Sequence, residues 1–238
     1  MKIFNILFLI LAVSCSKSQN NVSIDNSLNT NTNTNPTKKN CDNSFQFGKS
    51  TLCVPKIKGM HNIILNPQSK DYIQSKNYPG NTFVAYFVNE KIFQNLEKLY
   101  EDQFDDFFQI YVTNSNDDID VNNEYLNSIN ERAKEYVNSS NWKYLKSKLE
   151  DINKNNVFEK PIIVENYSLT PNSIQNVTLV SIKSGTNQRN MIAVGNMFIV
   201  DNRLFYATYY HNFQNYKSIE EAKERHDEIM LQVLKSNE

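Results

Sequence analysis

The sequence has few of the residues on which metal, nucleotide and nucleic-acid chemistry depend. It has three cysteines and three histidines in 238 residues, and His61, His211 and His226 lack the spacing of zinc ligands. We therefore expect no metal and no cofactor. The formal net charge is −1, whereas a nucleic-acid partner requires a basic face. Only five glycines are present, and the segment Gly48-Lys49-Ser50-Thr51 lacks the earlier glycine of a phosphate-binding loop.

Long apolar runs are also missing, and the longest lies at the start of the chain. It covers Ile3 to Val13 with Asn5 as its one polar residue. This run is too short for a transmembrane helix, which needs about 20 residues, but it suits a secretory signal. The following Leu11-Ala12-Val13-Ser14-Cys15 resembles a bacterial lipobox. The resemblance implies that residues 1–14 are a lipoprotein signal cleaved before Cys15, whose thiol carries the lipid. An ordinary secretory signal with a chance cysteine is the alternative.

Residues 15–42 are predicted to be the lipidated cysteine and a disordered tether. Ser16 to Asn40 contains eight asparagines and three large apolar residues, too few to offset the entropy of ordering the segment. Residues 43–238 are long enough for one well-cored domain. We therefore expect a folded domain held by lipid at a bacterial membrane, in the periplasm or at the cell surface.

Cys41 and Cys53 remain after lipidation of Cys15. In an oxidising envelope compartment, two neighbouring cysteines favour a disulfide, which would stabilise by about 3 kcal/mol in the chain-entropy model. Two buried thiols and a metal pair are the alternatives.

Alternating apolar residues on each side of Gly48-Lys49 predict that the domain begins with a β-hairpin. Residues 57–80 look irregular, and a short helix is expected over 90–99. The apolar run Thr82–Val88 predicts a strand covered on both faces. Helical periodicity from Val121 to Asn155 predicts two helices, separated near Ser139-Ser140-Asn141. Further strands are predicted at Phe107–Thr113, Ile162–Tyr167, Val177–Lys183, Met191–Val200 and Arg203–Tyr210.

The last two strands should form a hairpin through Asp201-Asn202, a pair that tolerates positive φ. Gly195 within the first of them suggests a bulge or a close backbone contact. Ser218 and Glu221 form a predicted capping box for a terminal helix. Its expected buried stripe is Ile219, Ala222, His226, Ile229, Met230 and Val233. The predicted fold class is therefore α+β, a single domain in which an antiparallel sheet packs with helices.

The C-terminal segments MFIVDNRLFYATYY and NYKSIEEAKERHDEIM, with the opening FQFGKSTLCVP, resemble the Mog1/PsbP-like domain family. The resemblance covers under half of the chain and rests on the order of elements. The paired helices between Val121 and Asn155 are larger than is usual in that family. It implies an α/β/α sandwich and a binding role without shared catalytic residues.

Several residues are candidates for a site. Tyrosines near the last hairpin suit recognition, because they bury area at low entropic cost. The expected binding surface is Tyr206, Tyr209, Tyr210, His211, Phe213 and Tyr216. Asp105-Asp106 could act as a paired acid, but neighbouring strand residues point to opposite faces. The loop Asn114–Asp120 has oxygen ligands suited to calcium without the glycine and glutamate of an EF-hand, which favours a solvated helix-capping loop.

No G-x-S-x-G motif or other catalytic constellation is apparent, so we do not expect an enzyme. The leading hypothesis is a lipid-anchored, non-catalytic envelope module that binds or assembles with another component, most simply a protein. The alternatives are an envelope hydrolase that uses His211 or Asp105-Asp106, and an immunity lipoprotein against a toxin.

Overall fold

Nine strands and four α-helices are formed by the described part of the chain. The structure is a computed structural model that describes residues 41, 43–96, 105–139, 151–184 and 187–238. The strands are β1 (Ser44–Phe47), β2 (Ser50–Cys53), β3 (Met60–Asn62), β4 (Asn81–Asn89), β5 (Asp106–Thr113), β6 (Ile162–Tyr167), β7 (Ser173–Ser184), β8 (Asn187–Val200) and β9 (Arg203–Asn212). The helices are α1 (Pro67–Ser75), α2 (Glu90–Phe93), α3 (Asn123–Ser139) and α4 (Tyr216–Lys235).

Seven strands form one antiparallel sheet in the order β3-β4-β5-β9-β8-β7-β6. The predicted β8–β9 hairpin is confirmed, and both residues of its turn have positive φ, 46° at Asp201 and 62° at Asn202. Of the two alternatives for Gly195, a bulge or a close backbone contact, the bulge is wrong, because that residue pairs in unbroken register with both neighbouring strands. The register shifts lie instead in β4 and β6.

One face of the sheet, here called the α4 face, has a continuous apolar core. The predicted buried stripe of α4 is confirmed in full. The start of this helix differs from the prediction, since Asn215 is the N-cap and Ser218 is the third helical residue. Asn215 Oδ1 accepts from the backbone amide of Lys217, and the Ser218 hydroxyl lies 3.3 Å from the amide nitrogen of Asn215. An Asx cap three residues earlier therefore replaces the predicted Ser218–Glu221 box.

The β1–β2 hairpin covers one end of the α4 face, where Phe47, Leu52 and Val54 join the core. The structure joins Cys41 to Cys53 by a disulfide, as predicted. Asn237 connects β2 to the end of α4. Its side chain accepts a hydrogen bond from the Cys53 amide and donates one to the Cys53 carbonyl, both at 2.8 Å.

The opposite face, here called the α3 face, is covered by α1, α2 and α3. The protein is thus an α+β domain with an antiparallel sheet between helical layers, as the sequence predicted. The irregular segment expected over 57–80 is wrong. Asn66 caps α1 by accepting from the amide of Gln68, and Pro67 begins the helix. α3 is the first of the two predicted helices, and the second lies outside the described residues.

Candidate functional site

A row of polar residues crosses the α3 face at the centre of the sheet. Gln109 of β5 pairs with Thr208 of β9, and Thr208 pairs with Gly195 of β8. Gly195 pairs in turn with Asn176 of β7, which pairs with Asn166 of β6. These five residues, here called the polar row, lie side by side on five adjacent strands. Strand spacing makes the row about 19 Å long.

The polar row separates two apolar clusters. One contains Phe107, Ala193 and Tyr210, and the other contains Met197 and Leu204. The α4 face also has buried polar side chains, Gln175 and Asn196, but its apolar core is one cluster that extends from β4 to β7. Gln109 and Thr208 are only 5% and 2% exposed, so the polar row is not an ordinary solvated surface. Burial of polar side chains is costly unless their hydrogen bonds are made.

Gly195 lies at the middle of the polar row and is partly exposed. Its strand neighbours Val194 and Asn196 are buried, and they point to the α4 face under the terminal helix. The exposed surface of Gly195 therefore lies on the α3 face. Although β8 is an inner strand, the backbone is partly exposed at this position because glycine lacks a side chain.

Three tyrosines surround this point. The rings of Tyr111 and Tyr206 stack with centroids 5.3 Å apart, and Tyr210 stacks on Phe107 at 4.5 Å. Burial raises the pKa of Tyr111, and the nearby phenols of Tyr210 and Tyr206 raise it further. A hydrogen bond to Thr208 acts in the opposite direction. Burial also raises the pKa of Tyr210. The Tyr111 and Tyr210 phenols are therefore neutral at physiological pH, and the three tyrosines converge beside the Thr208 hydroxyl.

Two buried oxygen atoms of the polar row have no hydrogen-bond partner in the described structure, Gln109 Oε1 and Asn166 Oδ1. Asn130 of α3, which packs over β6, β7 and β8, has a third, its Oδ1. Most buried polar atoms in proteins are hydrogen-bonded, so each of these atoms is free to accept a hydrogen bond from water or a ligand. We call Gly195, Gln109, Tyr111, Tyr206, Thr208 and Tyr210 the Gly195 site.

The predicted binding surface divides between several environments. Tyr206 and Tyr210 belong to the Gly195 site on the α3 face, and Tyr209 and His211 point to the α4 face. Tyr209 and Phe213 are buried in the core, and Tyr216 is exposed at the start of α4. The six residues therefore do not form one continuous surface, and contact of any of them with a partner stays a prediction.

The predicted acid pair and His211 meet at the end of β5 and β9. Asp106 and His211 are direct register partners on the α4 face. Burial raises the pKa of Tyr209, and the charge of Asp106 and a hydrogen bond to it raise it further. Asp106 Oδ1 and His211 Nδ1 are buried without partners among the described residues. Asp105 is exposed and pairs with Arg189 at 3.3 Å.

His226 belongs to an enclosed chain of hydrogen bonds beneath α4. Its Nδ1 lies 2.8 Å from an Asp227 oxygen, which also accepts from the Tyr167 hydroxyl at 2.7 Å. Burial lowers the pKa of His226, and Asp227 offsets part of this effect. The ring is fully buried, which fits the predicted core histidine, and its Nε2 has no hydrogen-bond partner among the described residues.

The predicted calcium loop lies against the β1–β2 turn. Its Asp120 forms an ion pair with buried Arg203, and Asn122 caps α3 by accepting from the Tyr125 amide. This agrees with a helix-capping loop. A polar cleft of about 510 Å³ lies beside the helix start, lined by Asn122, Asn123, Glu124, Asn172, Ile199, Asp201 and Asn202.

Within the described ranges, no group of three or more His, Cys, Asp or Glu residues could hold a metal ion. In the same ranges no helix is both long and apolar enough to cross a membrane. Cys15 and the signal and tether predicted around it lie outside the described residues.

Comparison with known proteins identifies no relative. No family model matches the chain, and no curated protein or solved structure does so. The Mog1/PsbP-like resemblance therefore stays a prediction.

Proposed function

We propose that the protein is a lipid-anchored module of a bacterial envelope that holds a small ligand in the Gly195 site without transforming it. One observation carries the proposal. Gln109 Oε1 is buried without a hydrogen-bond partner among the described residues, and Thr208 separates it from partly exposed Gly195, with three tyrosine rings beside them. Binding sites for small molecules combine apolar walls with a few convergent polar groups in this way.

The chemistry of the six residues favours binding over catalysis. Proton transfer near neutral pH requires a group whose pKa lies near the operating pH. The Gly195 site consists of phenols, a hydroxyl, an amide and a glycine, and burial moves the pKa of Tyr111 and of Tyr210 away from neutrality. These groups can donate and accept hydrogen bonds but exchange no proton readily.

Membrane attachment is the second part of the proposal, and it rests on the pattern of residues 1–15. Two or three acyl chains hold a protein firmly at a bilayer, since each buried CH₂ contributes about 0.8 kcal/mol. The full chain, expressed in bacteria fed an alkyne fatty acid, should take up the label. The Cys15→Ser variant should not, and equal labelling of both proteins would refute the anchor.

Native mass spectrometry tests ligand binding. The wild-type chain, released from membranes by mild detergent, should carry a small-molecule adduct. Gly195→Val places a side chain on the floor of the site and should abolish the adduct. Gly195 does not have positive φ, so valine meets no backbone strain in this strand. Circular dichroism verifies folding of the variant. A wild-type chain without any adduct would refute the ligand-binding proposal.

The enzyme alternative has one favourable observation, the meeting of Asp106 and His211. A carboxylate beside an imidazole can support general base catalysis. Asp106 Oδ1 and His211 Nδ1 have no hydrogen-bond partner among the described residues, so neither atom activates a nucleophile there, and the binding proposal is preferred. Hydrolysis of envelope material that is lost in His211→Gln and kept in His61→Gln would reverse this preference.

A further inference from the structure

Two of the three histidines in the sequence bond to a neighbouring carboxylate. His61 Nε2 bonds to Glu90 Oε2, and His226 Nδ1 lies 2.8 Å from Asp227 Oδ1. An imidazole that donates its proton to a carboxylate satisfies one polar atom of each group. These two pairs therefore show how histidine and carboxylate side chains of this protein complete each other directly.

His211 also has a carboxylate beside it, but the two groups do not bond to each other. Asp106 and His211 are direct register partners on adjacent strands, which places their Cβ atoms about 4.5–5.5 Å apart. Asp106 Oδ1 and His211 Nδ1 are nevertheless both buried without a hydrogen-bond partner among the described residues. A carboxylate oxygen and an imidazole nitrogen thus lie side by side, and each has a lone pair to offer.

The protein groups described around this pair do not supply a donor. On the adjacent strand β8, the register partner of His211 is Ile192, which is apolar and fully buried. Arg225 of α4 is the cation on this part of the face, but its guanidinium bonds elsewhere. It pairs with Glu228 at 2.6 Å and donates to the Lys58 carbonyl at 2.7 Å. The lone pairs are therefore left for a group from outside the protein.

A divalent transition-metal ion fits the two atoms. Imidazole nitrogen and carboxylate oxygen bind zinc at about 2.0–2.2 Å, which separates the two ligand atoms by about 3.3 Å in tetrahedral geometry. Cross-strand partners can reach this separation by rotation of their side chains. Tyr209 forms a hydrogen bond to Asp106, and carboxylates that bind metal ions are commonly held by such a bond. Asp106 is the first residue of β5 and is partly exposed, as is His211, so an ion has a short path to the pair.

We propose that Asp106 and His211 bind a divalent ion of the zinc class at the end of β5 and β9. Two protein ligands leave the remaining coordination positions to water or to a partner's group. The proposal is independent of the Gly195 site, because the pair lies on the α4 face. The sequence predicted no metal on the ground that the histidines lack ligand spacing, and a cross-strand pair leaves no such spacing along the chain.

Histidine-selective ¹⁵N labelling of the full chain, prepared without a histidine tag, provides the test, because the three imidazoles are separate reporters. Zinc chloride is added in stages to the protein in detergent. The Nδ1 signal of His211 should shift as zinc binds. The signals of His61 and His226 should stay in place, since a carboxylate already occupies one nitrogen of each ring.

Two neighbouring aspartates supply matched variants. Asp106→Asn should weaken zinc binding about tenfold or more, since removing even a hydrogen-bond partner of a metal ligand has an effect of this size. Asp105→Asn changes the exposed neighbour and should leave the affinity unchanged. The His226 signal, which comes from a fully buried ring, verifies that each variant is folded.

Three outcomes would overturn the proposal. One is a His211 signal that does not move at about 1 mM zinc, where a complex of millimolar affinity is half formed. Water would then be the simplest group between the two side chains. The others are a shift of the His61 signal at lower zinc concentration than that of His211, and equal affinities of the two aspartate variants.

Discussion

Substitution of Gly48 by alanine should destabilise the protein far more than the same change at Gly59. Both residues have positive φ, 55° and 76°, so each alanine costs about 1–2 kcal/mol in backbone conformation. At Gly48 the new methyl group would also overlap the carbonyl oxygen of Asp117 and lie 2.8 Å from Arg203 Nε. At Gly59 it would meet no atom within 4 Å.

The overlap can be relieved only by separating the β1–β2 turn from the loop that follows β5. Separation would lengthen or break the 2.7 Å hydrogen bond from the Ser50 hydroxyl to the Asp201 carbonyl, which contributes about 1 kcal/mol. An extra methyl group forced into close packing costs about 2 kcal/mol, this hydrogen bond included. With the backbone cost, we therefore expect a total loss of about 3–4 kcal/mol for Gly48→Ala, against about 1–2 kcal/mol for Gly59→Ala.

Urea denaturation followed by circular dichroism measures this difference. With a slope of about 2 kcal/mol/M, the two midpoints should differ by about 1 M. Gly80→Ala is a second control, since Gly80 also has positive φ and open space around it. Equal midpoints for all three variants would show that the hairpin does not pack closely against the loop.

Three further predictions concern the α4 face. Asn237→Ala should lower the free energy of unfolding by about 1–3 kcal/mol, because it leaves the Cys53 amide and carbonyl unpaired. The control variant Ser236→Ala should have little effect, and thermal melts of the two variants measure the difference. Reductant should destabilise the wild type by about 3 kcal/mol but not Cys41→Ser, as urea titrations would show. Because burial lowers the pKa of His226, the imidazole is protonated at higher pH in the unfolded chain than in the folded one. The free energy of unfolding should therefore fall as the pH drops below about 6.5, by at most about 1.4 kcal/mol per pH unit. The His226→Gln variant should lack this contribution.

Strong local patterns in the sequence predicted much of the fold. The apolar run Thr82–Val88 became β4, whose residues from Phe83 to Val88 are all buried. The periodicity of α4 identified each buried residue of its stripe, since a 3.6-residue repeat with few exceptions specifies one helical face. Asp201-Asn202 specified a hairpin turn, because few other residues accept positive φ at both positions.

Weaker local signals were misread. Asn66-Pro67 is a good helix start, with a capping side chain and a proline at the first helical position, but the segment contains few apolar residues to mark a face. At the start of α4, Asn215 and Ser218 are both suitable N-cap residues, and the sequence alone does not show that Asn215 takes this position.

The Gly195 site could not be predicted from local sequence patterns, for a different reason. No member of the polar row is distinctive within its own strand, because Gln109 interrupts apolar β5, and Asn166 and Asn176 follow other polar residues in β6 and β7. Five such interruptions become one feature only when the register of five strands is known. Register depends on tertiary pairing and not on the residues of one strand. Gly195 did stand out in the sequence, but the structure gives it regular pairing and partial exposure in place of a bulge.

The two faces of the sheet differ in how their apolar residues are arranged. The α4 face has one large apolar cluster. On the α3 face, the polar row lies between two smaller clusters. Proteins retain such departures from apolar packing mainly where function requires them.

A high-resolution crystal structure of the chain, purified from its own membrane without refolding, tests the central claim most directly. Electron density over Gly195 should show a bound molecule within hydrogen-bonding distance of Gln109 Oε1 and at least one of the three phenols. A side chain of the protein closing over Gly195, with Gln109 Oε1 bonded to a protein donor, would contradict the account.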